Sequence, residues 1–212
     1  MAGRNGGETL APSGDAPTGA GRLEALMAAA RAAGSGGGPA PVERWNPPDC
    51  GDMDMRIAAD GTWFYMGTPI GRPALVRLFA SVLTREGARY VLKTPVEKIG
   101  ITVDDAPFLA VEMAQEEGPE GPTLVFRTNL DDVVRCGPEH PLRFAPGAQD
   151  GEFVPYLAVR NGLEARLTRS AYFDLVAAGA VRAVGGAEMF GVASGGAFFP
   201  IMPAEALDLP PS

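Results

Sequence analysis

Few residues of this chain are of types that do covalent chemistry, and none stands in a spacing that commits it to a reaction. The single histidine, His140, precedes Pro141 and lies in no serine or cysteine nucleophile motif. Pairing with Cys50 or Cys136 requires only that the groups meet in space. A turn histidine that caps or packs is the reading its neighbours favour. The two cysteines fit neither a disulfide framework nor a zinc spacing. Cys50 with Asp52 and Asp54 is the nearest approach to a metal-ligand set, and a solvated strand edge explains that alternation equally well. Asp104-Asp105 and Asp131-Asp132 are raw material for acid–base catalysis. Both pairs sit where turns are expected, and turn aspartates bond their own backbone. Gly191-Val192-Ala193-Ser194-Gly195-Gly196 lacks the glycine two residues before the serine that a nucleophile elbow needs. No Walker or dinucleotide glycine pattern occurs, so no cofactor is implied.

The arginines carry more information. Arg72 and Arg169 stand at the starts of two predicted helices, and Arg160 and Arg166 flank a predicted hairpin. A helix N-terminus favours anions, and an arginine beside it can add a forked phosphate or carboxylate contact. Trp63 and Tyr65 share a strand face by period two, where they could form an aromatic wall for a stacked base. Aromatics in such positions are more often core. These six residues are the candidate site for a small anionic ligand in a seam between domains. The leading expectation is a non-enzymatic regulatory protein. Its rivals are a hydrolase or transferase using Asp, Cys50 or His140, and a scaffold that binds a protein partner through an exposed apolar patch.

Short elements must position these residues. Asp60-Gly61 and Asn161-Gly162 each separate two alternating runs, and such dipeptides suit the φ > 0 positions of tight hairpins. Each hairpin is followed by Arg, then Pro or Ser, then Ala, then an amphipathic run. A hairpin and helix written twice predicts a duplicated core, the first copy carrying the longer loop Gly67-Thr68-Pro69-Ile70. Asp52 to Ile57 alternates as a half-buried strand, with Thr62 to Met66 as its partner. Pro73 suits the first turn of a helix whose stripe of Leu75, Val76, Leu78, Phe79, Val82 and Leu83 runs on until Gly87. Strand-like runs follow over 90–93, 96–103, 108–114, 123–128, 133–136, 142–144, 156–160 and 163–167, and 192–201 closes as one extended segment. The pattern is an antiparallel α+β arrangement. It predicts a small α+β domain over 45–93 and a β-rich α+β domain over 94–203, with the seam near Lys93-Thr94-Pro95. Residues 1–44 read as a mobile leader rich in Gly, Ala and Pro. Within it, Leu23, Leu26, Met27 and Ala30 mark one face of a brief helix over 22–33. Residues 204–212 read as a tail.

Composition sets outer bounds. The 212 residues are 46% hydrophobic, enough for one good core or two small ones. A net charge of −8 with scattered Lys and Arg argues against nucleic acid and anionic membrane as partners. No apolar h-region follows the N-terminus and no run approaches the ~18 residues of a membrane span, so a cytoplasmic location is expected.

Several motifs together resemble one bacterial family. They are Trp45-Asn46-Pro47-Pro48, Cys50-Gly51-Asp52, Asp60-Gly61-Thr62-Trp63, Pro69-Ile70-Gly71-Arg72, Thr94-Pro95-Val96-Glu97-Lys98, Asp105-Ala106-Pro107-Phe108, Thr128-Asn129 and His140-Pro141-Leu142. Pro155 to Arg160, Leu163 to Arg166 and Gly191 to Pro200 continue the likeness. Over nearly all of residues 45–201 the chain resembles the domain-of-unknown-function family twelve eighty-five. The resemblance implies a duplicated core and a C-terminal domain loosely similar to pleckstrin-homology folds. It further implies a nucleotide-like ligand at the domain interface and a part in signal transduction.

Overall fold

Leu26 and Ala30 lie fully buried on one face of helix α1 (Gly19–Ala33), with Leu23 and Met27 packed beside them, as their spacing requires. The computed structural model describes residues 19–34, 39–147 and 152–208. The leader is therefore not loose throughout. α1 docks, and Ala40 and Val42 are buried beyond it, while residues 1–18 and 35–38 of the leader lie outside the described residues. Arg22 secures the helix by donating to the backbone carbonyls of Cys50 and Asp52.

Strand β1 (Asp49–Ile57) buries Met53, Met55 and Ile57 and exposes Asp52, Asp54 and Arg56. It turns at Asp60-Gly61 into β2 (Trp63–Tyr65), which pairs onward with β3 (Thr68–Pro69). Helix α2 (Pro73–Ser81) starts with its proline in the first turn and buries Val76, Phe79 and Ala80. It stops six residues short of Gly87. Leu83 to Glu86 instead form β4 (Leu83–Glu86), a hairpin with β5 (Arg89–Lys93) around Gly87. Gly87 has a φ of +63°, which suits glycine in a turn. Consecutive burial of Val82, Leu83 and Thr84 fits a covered strand as well as a helix face, and the Leu83–Leu92 and Thr84–Val91 pairs decide it.

Strand β6 (Lys98–Val103) lies between β5 and β1, antiparallel to the first and parallel to the second. The sheet order is therefore β3-β2-β1-β6-β5-β4. This corrects two expectations. The sheet is mixed rather than purely antiparallel, and the chain leaves it after Val103 rather than at Lys93-Thr94-Pro95. That tripeptide belongs to the β5–β6 turn, where the Thr94 hydroxyl accepts from the Glu97 amide at 3.2 Å.

A second six-stranded sheet follows: β7 (Phe108–Gly118), β8 (Gly121–Thr128), β9 (Val133–Arg135), β10 (Leu142–Pro146), β11 (Phe153–Arg160) and β12 (Leu163–Leu167). Its order is β10-β11-β12-β7-β8-β9, with β7 and β12 parallel. Both sheets thus consist of two three-stranded meanders, the first strand of one running parallel to the last strand of the other. The Asp60-Gly61 hairpin joins the first two strands of its sheet, whereas the Asn161-Gly162 hairpin joins the last two of its own. The two hairpins of similar sequence hence occupy non-equivalent places, so the repeat read from them does not map strand onto strand.

Helix α3 (Arg169–Ala177), capped by the Thr168 hydroxyl, packs against β7 and β12. A third sheet of β13 (Ala180–Val184), β14 (Ala187–Ser194) and β15 (Ala197–Pro203) stands where a single segment was expected. Gly195 and Gly196 fold that segment into a hairpin, and a 3₁₀ turn over Ala204–Asp208 begins the expected tail. The fold is α+β in two domains. Among the described residues no helix is long and apolar enough to cross a membrane.

Candidate functional site

The two hairpin turns build the seam by reaching across it in opposite directions. The Asn161 carbonyl accepts from the Arg85 amide at 3.2 Å and from the Thr84 hydroxyl at 3.3 Å, pinning the second domain to β4. The Asp60-Gly61 turn presses the other way, so closely that a Cβ on Gly61 would lie 2.7 Å from Asn129 Nδ2. Arg77 of α2 adds an ion pair with Asp131 at 3.3 Å.

Arg160, at the end of β11, sits in the middle of this junction. Its Nη1 donates to Asp132 Oδ2 at 2.5 Å and its Nη2 to the Ala80 carbonyl at 3.3 Å, one partner in each domain. The guanidinium lies 4.7 Å over the Phe108 ring, and its Nε is buried without a hydrogen-bond partner. Asp132 is set by Thr128, whose hydroxyl accepts from the Asp132 amide at 3.1 Å and whose own amide donates to the Asp132 carbonyl at 2.9 Å. Three cavities of about 720, 260 and 370 Å³ meet around Arg160. The largest is lined by Thr123, Asp132, Arg135, Cys136, Glu139 and His140, among others.

His140 closes a tight turn in which Gly137 and His140 exchange backbone hydrogen bonds. Its Nδ1 lies 3.1 Å from the Ala158 carbonyl. A carbonyl only accepts, so Nδ1 carries the hydrogen and Nε2 holds the lone pair in the neutral ring. The expectation of a turn histidine bonding backbone fits this geometry, although the ring also lines two of the cavities. Burial pushes the Cys136 thiol up to about 11, so it stays protonated at neutral pH. Ser194 donates to the Cys136 carbonyl at 2.7 Å and accepts from the Leu124 amide at 2.8 Å. It staples the third sheet to β8, and among the described residues its hydroxyl meets no base.

The other candidates fall elsewhere. Arg166 donates to Asp105 at 2.8 Å, and Asp105 also accepts from the Tyr156 hydroxyl at 2.7 Å. Arg166 and Arg169 line a separate cavity of about 480 Å³ with Tyr172 and Phe173. Arg169 is exposed and lies over the Phe173 ring. Arg72 is exposed at the start of α2 and lines none of these cavities. The aromatic wall is a correction: Trp63 is 1% exposed and stacks on Phe79 at 6.3 Å, so it is core. Tyr65, on the same face, packs partly buried against that core. Asp52 and Asp49 pair with the Arg89 guanidinium. Among the described residues no group of three metal-ligating side chains converges. Sequence reasoning missed Asp132 as the partner of Arg160. The Thr128 to Asp132 spacing of a side-chain-bonded turn was its only local signal.

The family comparisons agree with this architecture. The N-terminal domain of a domain of unknown function, DUF1285, matches residues 40–106, and the C-terminal domain of that family matches residues 107–201. The boundary falls where the chain leaves the first sheet. A crystal structure of a DUF1285 family protein from Silicibacter pomeroyi DSS-3 is 49% identical, with a TM-score of 0.77 over 87% of this chain and 98% of that one. Another, from Shewanella baltica OS155, is 29% identical over 58% of this chain and 90% of that one, with a TM-score of 0.47. Comparison with curated proteins found no match. With both domains matched in order and a half-identical structure spanned almost end to end, this chain belongs to the DUF1285 family.

Proposed function

We propose that this protein is a cytoplasmic, non-enzymatic regulator that takes a small anionic, nucleotide-like ligand into the seam around Arg160 and passes its presence on in signal transduction. The observation that supports this reading is the position of Arg160. One guanidinium contacts both domains and borders three cavities. A ligand that competes for it acts on both domains at once, giving the differential contact that a ligand-driven shift requires. The fork of an arginine suits phosphate and carboxylate alike. The matching strand orders of the two sheets support a duplicated origin, and a second six-stranded sheet of two meanders followed by α3 is compatible with a loose pleckstrin-homology likeness. A hydrolase or transferase has less support, because among the described residues the Cys50 sulfur hydrogen-bonds the Pro48 carbonyl, at 3.9 Å, and no base.

A thermal-shift screen of nucleoside mono- and diphosphates, pyrophosphate and sulfate tests the reading. A ligand at 100 times its dissociation constant adds about 2.7 kcal/mol. For a chain of this size that raises Tm by about 5–10 °C. Arg160→Lys keeps the charge but loses the fork, so it should lower the gain while the protein stays folded by circular dichroism. No shift with any of these compounds sinks the proposal. Turnover lost in Cys50→Ala or His140→Ala would replace it with the enzyme reading.

A further inference from the structure

We infer that anion binding at the seam is switched by protonation of His140, the ligand entering together with one proton. This rests on the seam being the ligand site, and three observations carry it further.

The first is the fixed tautomer. Because Nδ1–H is held by the Ala158 carbonyl, the neutral ring offers only a lone pair at Nε2, which repels an anion's oxygens. Protonation adds a hydrogen at Nε2 and turns that atom into a charged donor without moving the ring. The second is placement. His140 and Arg160 together line both the cavity of about 720 Å³ and the one of about 370 Å³. The third is charge balance. The larger cavity sets Arg135 and Arg160 against Asp132 and Glu139, and the smaller sets Arg85 and Arg160 against Glu139 and Glu164. Each is formally neutral while the imidazole is neutral and becomes net positive when it is charged. These six are the carboxylate and guanidinium groups that line the two cavities beside the ring. Imidazole is the side-chain type that ordinarily changes charge between about pH 5 and 8.

The sign follows from linkage. An anion that binds the charged ring better must bind more tightly as pH falls, and must in turn raise the titration midpoint of the ring. A midpoint raised by one unit corresponds to a tenfold gain in affinity.

The chain has one histidine, so a single pair of imidazole resonances reports the site. Sulfate is the anion to use, since it stays doubly charged across the range and phosphate does not. Expected are a dissociation constant at least fivefold lower at pH 5.5 than at pH 8.0, and an imidazole midpoint raised by saturating sulfate. His140→Gln should bind with the same weak constant at both pH values. The wild-type resonance titration needs no variant to fold. Sulfate binding at the seam with equal constants at both pH values, or pH dependence that survives in His140→Gln, overturns the switch and leaves the seam site standing. No binding of sulfate, pyrophosphate or nucleoside diphosphates at either pH overturns both.

Discussion

Arg160 and Arg166 flank the same hairpin, on adjoining strands, yet the fold surrounds them differently. Arg160 is 15% exposed and touches two domains, whereas Arg166 is 40% exposed and pairs with Asp105 in the connection between them. Nothing in the arginines themselves separates them. The seam lies at the turn end of β11, and Asp132 and Ala80 arrive there from distant parts of the chain. The consequence of an arginine on a strand is set by where a second domain lands.

Removing each arginine is the strongest way to break this comparison. Arg160→Ala leaves Asp132, itself 27% exposed, without its cation, and frees the Ala80 carbonyl. Breaking a buried pair costs about 3–5 kcal/mol, and residual exposure brings the expected loss to about 2–3 kcal/mol in urea unfolding. Arg166→Ala should cost about 1 kcal/mol or less, because its pair is better hydrated. Equal losses for the two would remove the basis for singling out the seam.

The two turns that pin the domains allow a finer comparison. Gly61 and Gly162 both have positive φ, +81° and +74°, so alanine is strained at each. At Gly61 the new Cβ would also meet Asn129 Nδ2 at 2.7 Å, whereas at Gly162 its nearest neighbour is Arg85 Cβ at 3.4 Å. Gly61→Ala is expected to cost about 2–3 kcal/mol and Gly162→Ala about 1 kcal/mol. Faster proteolysis within the connection at 104–107 should accompany the first only. A larger loss for Gly162→Ala would mean that the Asn161 turn, not the Asp60 turn, holds the domains in register.

Much of this fold was legible because its causes are local. The alternation of Met53, Met55 and Ile57, the first-turn place of Pro73, the Asn161-Gly162 turn and the buried face of α1 all follow from spacings of a few residues. What stayed hidden depends on partners far away in sequence. Leu83 to Glu86 extends as a strand because β5 pairs with it, and β6 joins the first sheet because β1 offers it a parallel edge. The site divides in the same way. Arg160 stood out by its place at a hairpin, but its partner Asp132 depends on the Thr128 hydroxyl. Trp63 alternates like a ligand wall and like a core residue, and only the approach of Phe79 from α2 makes it core.

The smallest expected effect concerns the Arg166 side of the comparison and is spectroscopic. Burial, followed by the hydrogen bond it donates to Asp105, pushes the Tyr156 hydroxyl up to about 12. Its neutral form is thus favoured by folding. The contribution is complete below the ordinary tyrosine range near pH 10 and is lost as pH rises from about 10 towards 12. Burial also raises Tyr90 and Tyr172, so ultraviolet difference titration should show several tyrosines ionising late. Asp105→Asn should bring the Tyr156 step earlier by removing the carboxylate that repels the phenolate. Arg166→Ala should move it later, because the guanidinium opposes the shift. The seam should not respond to either change, since Arg160 and Asp132 make none of these contacts. If Asp105→Asn also altered sulfate binding or the His140 resonances, the two arginine sites would be coupled through β11 and β12, and the separation drawn between them would fail.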